Sequence, residues 1–286
     1  PMPSLKEKAE RFSDMHTRPG IIVLPNAWDV GSAVVMADAG FPTIATTSAG
    51  VAFAQGLPDG EKIAKERMLE IVSAIAAAVP VPVTADLEAG YGPKPEHVAK
   101  TIRQAIDAGL AGCNIEDTLN RGGKKLYGFE ASVDRIRAGA EAAKKAGVKF
   151  VLNARTDAYL MQLGDAKTNF AESVKRANAY LAAGATSVFV PGALDADTIR
   201  QLAHEIDGPM NVLGALGGRP APYTVAELES FGVKRISIGG SLASAALGFV
   251  RRMVGEIRKK GTFDYHAGAF SHAEATELFE KYLKKK

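Results

Sequence analysis

The chain has 286 residues, of which 47% are hydrophobic and 23% charged, a balance that excludes a disordered, collagenous or disulfide-scaffold protein and provides for a sizeable core. Lys plus Arg number 35 against 32 Asp plus Glu, a formal charge of +3, and no basic stripe is interleaved with aromatics, so nucleic acid is not an expected partner. The single cysteine, Cys113, cannot close an intrachain disulfide, and the polar stretch up to Arg18 has no signal-peptide hydrophobic region, so the expected setting is a reducing cytoplasm.

From Ile21 onward, short β-rich runs alternate with longer helical stretches, the pattern of a parallel sheet with crossover helices. Strands are predicted near Ile22, Ile44, Val83, Ile115, Leu152, Val188, Val212 and Ile236. Their spacing averages about 31 residues, and one βαβ unit needs roughly 30 or more. The most apolar run, residues 71–83, is broken by Pro80 and Pro82 and falls short of the about 20 residues that span a bilayer, so no membrane segment is expected.

Ala39-Gly40-Phe41, Ala108-Gly109-Leu110, Ala146-Gly147-Val148, Ala183-Gly184-Ala185 and Phe231-Gly232-Val233 each place a glycine where a helix hands over to a strand. One such triplet is an ordinary turn; five in register with eight strands point to a closed (β/α)8 TIM-type barrel over residues 1–260 rather than an open sheet. Residues 261–286 form a C-terminal helical extension. Its amphipathic helix, predicted over 271–286, carries Leu278, Phe279, Tyr282 and Leu283 on one stripe, which needs a partner surface, its own barrel or a neighbouring subunit.

The strand tips are polar where a packed interior would be apolar. Asn26 ends the first strand, Thr46 and Ser48 the second, Thr84, Asp86 and Glu88 the third, Asn114 and Glu116 the fourth, Asn153 and Arg155 the fifth, and Asn211 the seventh. Positions two apart share a sheet face, so these side chains converge on one mouth. Any one of them, taken alone, reads more readily as a turn cap than as a ligand contact. Together, Asp59, Asp86, Glu88 and Glu116 bring several carboxylates to one opening, which calls for a hard cation such as Mg²⁺ or Mn²⁺; no His or Cys spacing suggests zinc. Arg155 offers a fork for a substrate carboxylate, or else a salt bridge to Glu116 or Asp117. Ser48-Ala49-Gly50 offers backbone N–H groups as an anion nest, and the glycine-rich loops at 214–218 and 239–240 lie where many barrels bind phosphate, although tight turns explain them equally well.

With these residues in place, the chain resembles the isocitrate lyase/phosphoenolpyruvate mutase superfamily along nearly its whole length. The resemblance rests on Pro25-Asn26-Ala27-Trp28-Asp29, Thr47-Ser48-Ala49-Gly50-Val51, Gly56-Leu57-Pro58-Asp59, Asp86-Leu87-Glu88-Ala89-Gly90-Tyr91-Gly92, Gly112-Cys113-Asn114-Ile115-Glu116-Asp117 and Asn153-Ala154-Arg155. It implies a Mg²⁺-dependent barrel, commonly tetrameric, acting on small 2-oxo or 2-hydroxy carboxylic acids through enolate-like intermediates. It further implies that Asp86 ligates the metal, that Asp59, Glu88 and Glu116 hold its waters, and that Ser48, Ala49, Gly50 and Arg155 contact substrate; Asp86 and the strand-seven tip Asn211 are further candidate substrate contacts. The family usually has Asp-x-Asp where this chain has Asp86-Leu87-Glu88.

Two departures bear on the reaction. The lyases carry a catalytic cysteine in the loop after strand four, where this chain reads Leu119-Asn120-Arg121-Gly122-Gly123-Lys124-Lys125-Leu126-Tyr127; Cys113 lies in the strand, out of phase with Asn114 and Glu116, and reads as a packed core thiol. After strand six, Val190-Pro191-Gly192 replaces the Glu of lyases and the His of mutases. In the substituted loop Lys124, Lys125 and Tyr127, with Arg121, are the candidates to shield and protonate an enolate, unless the loop is only a solvated turn. The leading reading is a metal-dependent carbon–carbon lyase or decarboxylase that assembles as a dimer or tetramer. P–C bond chemistry and a non-catalytic carboxylate-binding barrel are the alternatives.

Overall fold

Pro25 divides the first barrel strand, and the division lies where the sheet closes. The computed structural model describes residues 2–120, 122–193, 195–216, 219–220 and 223–284. In it β1 runs over Ile22–Leu24 and resumes after the proline, which has no N–H for a ladder, over Asn26–Ala27. The parallel strands that follow are β2 (Ile44–Thr46), β3 (Val83–Asp86), β4 (Gly112–Glu116), β5 (Val151–Arg155), β6 (Ser187–Phe189), β7 (Met210–Leu213) and β8 (Arg235–Ser237). The first half of β1 pairs with β8 and the second half with β2, so both ends of the sheet belong to one strand and the barrel is closed. All eight expected strands are present, in a (β/α)8 barrel.

Helix α1 (Leu5–Thr17) precedes the barrel. Its Ala9 and Phe12 pack with Ile22, Leu24, Ala45 and Val151, closing the end of the barrel where the strands begin. Its His16 sets Nδ1 2.8 Å from the Phe12 carbonyl, which leaves Nε2 to accept from Arg235 Nη1 at 3.3 Å. Burial first, then the arginine charge, hold the imidazole pKa down to about 3.

The crossover helices are α2 (Val30–Asp38), α3 (Ser48–Ala54) with α4 (Lys65–Ala78), α5 (Pro95–Asp107), α6 (Phe129–Lys145), α7 (Ala166–Ala182), α8 (Ala196–Glu205) and α9 (Val225–Ser230). The five expected handover glycines have φ of 89°, 85°, 70°, 106° and 91° at Gly40, Gly109, Gly147, Gly184 and Gly232, the left-handed region that a Cβ disfavours. Two short antiparallel hairpins add to the expected elements: Thr118–Asn120 with Lys125–Leu126, and Ala215–Leu216 with Arg219–Pro220. Arg121 and the Gly217-Gly218 pair lie outside the described residues.

After β8, α10 (Ser241–Lys260) buries only Ala243 and leaves Leu247, Phe249, Val250 and Val254 exposed. Helix α11 (His272–Leu283) begins one residue later than expected, with Ser271 as its cap. Leu278 and Tyr282 of its stripe pack into the core of the same chain, and Lys281 pairs with Asp38 of α2 at 2.6 Å. Phe279 and Leu283 remain exposed. Among the described residues no helix is long and apolar enough to cross a membrane.

Candidate active site

The C-terminal ends of the strands open into a cavity of about 810 Å³. Ser48, Asp59, Asp86, Asn114 and Arg155 form its polar side; Leu160, Phe189, Pro191 and Leu213 form an apolar side; Gly239, Gly240 and Ser244 with Arg251 of α10 complete the rim. The strand-tip reading is thus met at its centre, because alternation along β3, β4 and β5 turns Asp86, Asn114 and Arg155 to the same side.

Asp86 is held from three directions. Its Oδ2 accepts from Ser48 Oγ at 2.6 Å and Ser48 N at 3.2 Å, its Oδ1 accepts from Glu88 N at 3.2 Å, and its own N–H donates to Thr46 Oγ1. Asp59 Oδ1 lies 3.4 Å from the same Ser48 hydroxyl, so the two carboxylates meet across it. The anion nest expected at residues 48–50 takes another form: the Ser48 amide is occupied by Asp86 and the Gly50 amide by Thr47 Oγ1. Ala49 borders the cavity, whereas Gly50 is buried, and a Cβ there would come within 2.6 Å of Thr47 and 3.0 Å of Ala243 and Trp28. Glycine at that position serves close packing.

Glu88 and Glu116 are not brought to the cavity lining. The chain leaves the strand after Asp86, and Glu88 sits at φ 51°, where alternation no longer directs it. Its carboxylate accepts from the Glu61 amide at 2.6 Å and from the Tyr91 hydroxyl at 3.4 Å, which ties down the segment carrying Asp59. Burial, followed by the charge of Asp86, pushes the Glu88 pKa up to about 8. Glu116 meets Arg155 Nη1 at 3.2 Å.

Arg155 also lays Nε and Nη2 on Asp157 at 2.6 and 3.1 Å, over the Phe189 ring. Burial alone would weaken its charge; Asp157, Glu116 and Asp86 outweigh that and raise its pKa. The salt-bridge alternative therefore holds for Glu116 but not for Asp117, which pairs with Arg176 at 3.2 Å and accepts from the Tyr180 hydroxyl at 2.7 Å. Asn211 is fully buried beneath the mouth. It is bonded to Asn153, Ser237 and backbone carbonyls, in a polar belt that continues through Asn153 to Asn114. Lys124 and Lys125 stand exposed on the first hairpin, and the Tyr127 ring lies 4.0 Å under the Arg135 guanidinium; none of the three borders the cavity. Cys113 is fully buried, as expected.

Asp157, Leu160 and Arg251 went unnoticed in the sequence. Asp157 carried a signal, since it follows Arg155 by two residues. Leu160 and Arg251 carried none, because their loop and helix have no strand parity to aim them. Among the described residues no group of three or more His, Cys, Asp or Glu side chains is arranged to hold a metal ion by itself. Asp86 and Asp59 on the cavity wall nevertheless fit an all-oxygen, Mg²⁺-type ion, which takes one or two carboxylates and completes its octahedron with water and substrate.

The sequence profile of the phosphoenolpyruvate phosphomutase family matches residues 12–258. Among relatives, an uncharacterised protein of Mycobacterium tuberculosis is 35% identical over 82% of this chain and 84% of its own. The 2-methylisocitrate lyase of Bacillus subtilis is 29% identical over 91% and 84%. Among solved structures, a Burkholderia cenocepacia protein described only as far as lyase/mutase is 40% identical over 96% of both chains, with a TM-score of 0.90. A 2,3-dimethylmalate lyase, a PEP mutase/isocitrate lyase superfamily member, is 26% identical over 99% and 98%, with a TM-score of 0.85.

Proposed function

This chain belongs to the phosphoenolpyruvate phosphomutase family of the PEP mutase/isocitrate lyase superfamily, and from that premise we propose that it is a Mg²⁺- or Mn²⁺-dependent lyase or decarboxylase that cleaves a carbon–carbon bond of a small 2-oxo or 2-hydroxy carboxylic acid. The observation that carries this reading is the charge balance at the mouth. Asp86, Glu116 and Asp157 surround the buried guanidinium of Arg155, and the two carboxylates that line the cavity, Asp86 and Asp59, both approach the Ser48 hydroxyl.

Asp86 and Asp59 would hold the ion, which when bound supplies Lewis-acid stabilisation to an oxygen that gains negative charge as the bond breaks. Arg155 and Asn114 present N–H donors to the substrate's carboxylate and oxo oxygens from the opposite side of the polar wall. Ser48 keeps Asp86 in place through its hydroxyl and amide. Leu160, Phe189 and Pro191 cover the remaining face with apolar surface and limit water there, so an enolate would persist long enough to be protonated. Lys124 and Lys125 remain the proton-donor candidates on the first hairpin. Tyr127 is the weakest of the three, because its ring is engaged by Arg135.

P–C bond chemistry is the second reading, favoured by the family profile itself. The Val190-Pro191-Gly192 segment, which replaces the histidine of mutases as it does the glutamate of lyases, offers no side chain to contact a phosphoryl group and weakens it. A panel of oxaloacetate, methylisocitrate, malate analogues and phosphonopyruvate, read for pyruvate release with and without Mg²⁺, tests both. Metal-dependent turnover of phosphonopyruvate alone would transfer the assignment to P–C chemistry. No turnover, together with no Mg²⁺-dependent oxalate binding, would leave a non-catalytic barrel.

A further inference from the structure

Arg155 has more anionic partners than its charge requires. Glu116 alone, 3.2 Å from Nη1, would neutralise a buried guanidinium, yet Asp157 adds a second carboxylate, fully buried and laid side-on along Nε and Nη2 at 2.6 and 3.1 Å. A second acid beside one cation costs desolvation and like-charge repulsion, so neutralisation does not account for it. Geometry does. A bidentate carboxylate fixes the plane of a guanidinium, which a single contact leaves free to rotate. Of the five N–H groups, Asp157 takes Nε–H and one on Nη2, and Glu116 stands beside Nη1 as an ion pair.

Asp157 is itself immobilised from its other sides. Its Oδ2 accepts from the Thr118 hydroxyl at 2.7 Å, and its amide donates to Asp117 Oδ1 at 3.0 Å. Asp117 in turn accepts at its other oxygen from Tyr180 and Arg176, both on α7. The Phe189 ring, 5.3 Å from the guanidinium carbon, supports it from the neighbouring strand. The orientation of one side chain at the mouth is thus referred through two buried acids to a helix on the outside of the barrel.

Building on the proposed function, we infer that Asp157 is a positioning residue: it sets the plane of the Arg155 guanidinium so that the remaining N–H groups face a bound carboxylate. It touches no substrate and acts only through Arg155. Three measurements test this on the full-length protein: a crystal structure of Asp157→Asn without ligand, calorimetric titration of wild type and variant with oxalate in the presence of Mg²⁺, and titration with Mg²⁺ alone. The expected results are a rotated guanidinium, oxalate binding weakened about tenfold to a hundredfold, as for residues that orient a ligand-binding group, and unchanged affinity for Mg²⁺ alone. Thr118→Val, which removes only the hydroxyl donor to Asp157, is expected to weaken oxalate less, and serves in place of Asp157→Asn should that variant fail to fold. An unmoved guanidinium in Asp157→Asn, or wild-type oxalate affinity in either variant, overturns the inference. Absence of oxalate binding in the wild type would instead refute the proposed function, and the guanidinium's orientation in the variant crystal would still decide whether Asp157 sets Arg155.

Discussion

Replacing Asp86 with asparagine changes one charge at the cavity wall and little of the shape, and should separate Asp86 from Asp59 as a holder of the proposed ion. The amide oxygen can still accept from the Glu88 N–H, while the Ser48 amide and hydroxyl lose the carboxylate oxygen they share at 3.2 and 2.6 Å. A carboxylate and a divalent ion about 4 Å apart at an effective dielectric of about 20 attract by about 8 kcal/mol, twice the figure for two unit charges. If desolvation of the carboxylate offsets as much as half of that attraction, then at about 1.4 kcal/mol per tenfold its loss should still weaken Mg²⁺ binding by at least about a thousandfold. Asp59, reached through water, should behave as an outer partner, and Asp59→Asn should cost about tenfold to a hundredfold. The assay is calorimetric titration of chelator-treated protein with Mg²⁺, with thermal denaturation in parallel to establish that both variants fold. Equal Mg²⁺ affinity in wild type and Asp86→Asn would refute the placement of the ion, and a larger loss in Asp59→Asn would reverse the two roles.

Arg155→Lys keeps the charge and loses the fork, so kcat/KM should fall about tenfold to a hundredfold, the worth of one or two charged hydrogen bonds; wild-type kinetics would make the residue purely structural. Cys113→Ala should retain near-wild-type turnover while losing about 1–2 kcal/mol of stability to a small cavity; a folded but inactive variant would overturn its reading as a core thiol. His16 is held neutral in the folded protein down to about pH 3 and takes up a proton near pH 6.5 when unfolded, so acidification through that window favours the unfolded state. Its share of stability should fall by about 1.4 kcal/mol per pH unit, and chemical denaturation of His16→Gln should show a shallower decline; identical slopes would remove His16 as the cause. Truncation after Lys260 should lower the melting temperature without changing the number of subunits, since α11 packs on its own chain, whereas Val250→Glu with Val254→Glu on exposed α10 should reduce the mass seen in light scattering. A truncated chain that falls to monomer would return the C-terminal stripe to a neighbouring subunit.

Strand parity told which side of the sheet a residue faces, and it puts Asp86, Asn114 and Arg155 on the cavity wall, although Glu116, in phase with Asn114 on the same strand, is drawn off to Arg155. It did not tell how far along the barrel axis each one sits. Arg155, Phe189 and Asn211 are consecutive ladder neighbours, yet Arg155 and Phe189 border the cavity while Asn211 is buried beneath it. Strands tilted by about 36° carry successive partners up or down the axis as the ladder is followed around. Parity also lapses where the strand stops, which is why Glu88, two residues beyond Asp86 in the chain, turns to Glu61 rather than to the mouth. The partner of Arg155 needed a different argument. Parity allowed Glu116, in the same ladder row, and the two-residue step from Arg155 hinted at Asp157 without fixing it, because a residue past the strand end is aimed by what captures its backbone. Here that is Asp117, whose own orientation comes from Tyr180 and Arg176 on α7, about 60 residues further along the chain. Local spacing can therefore nominate the groups that meet a ligand, while the groups that hold them in place depend on side chains that only the folded barrel brings together.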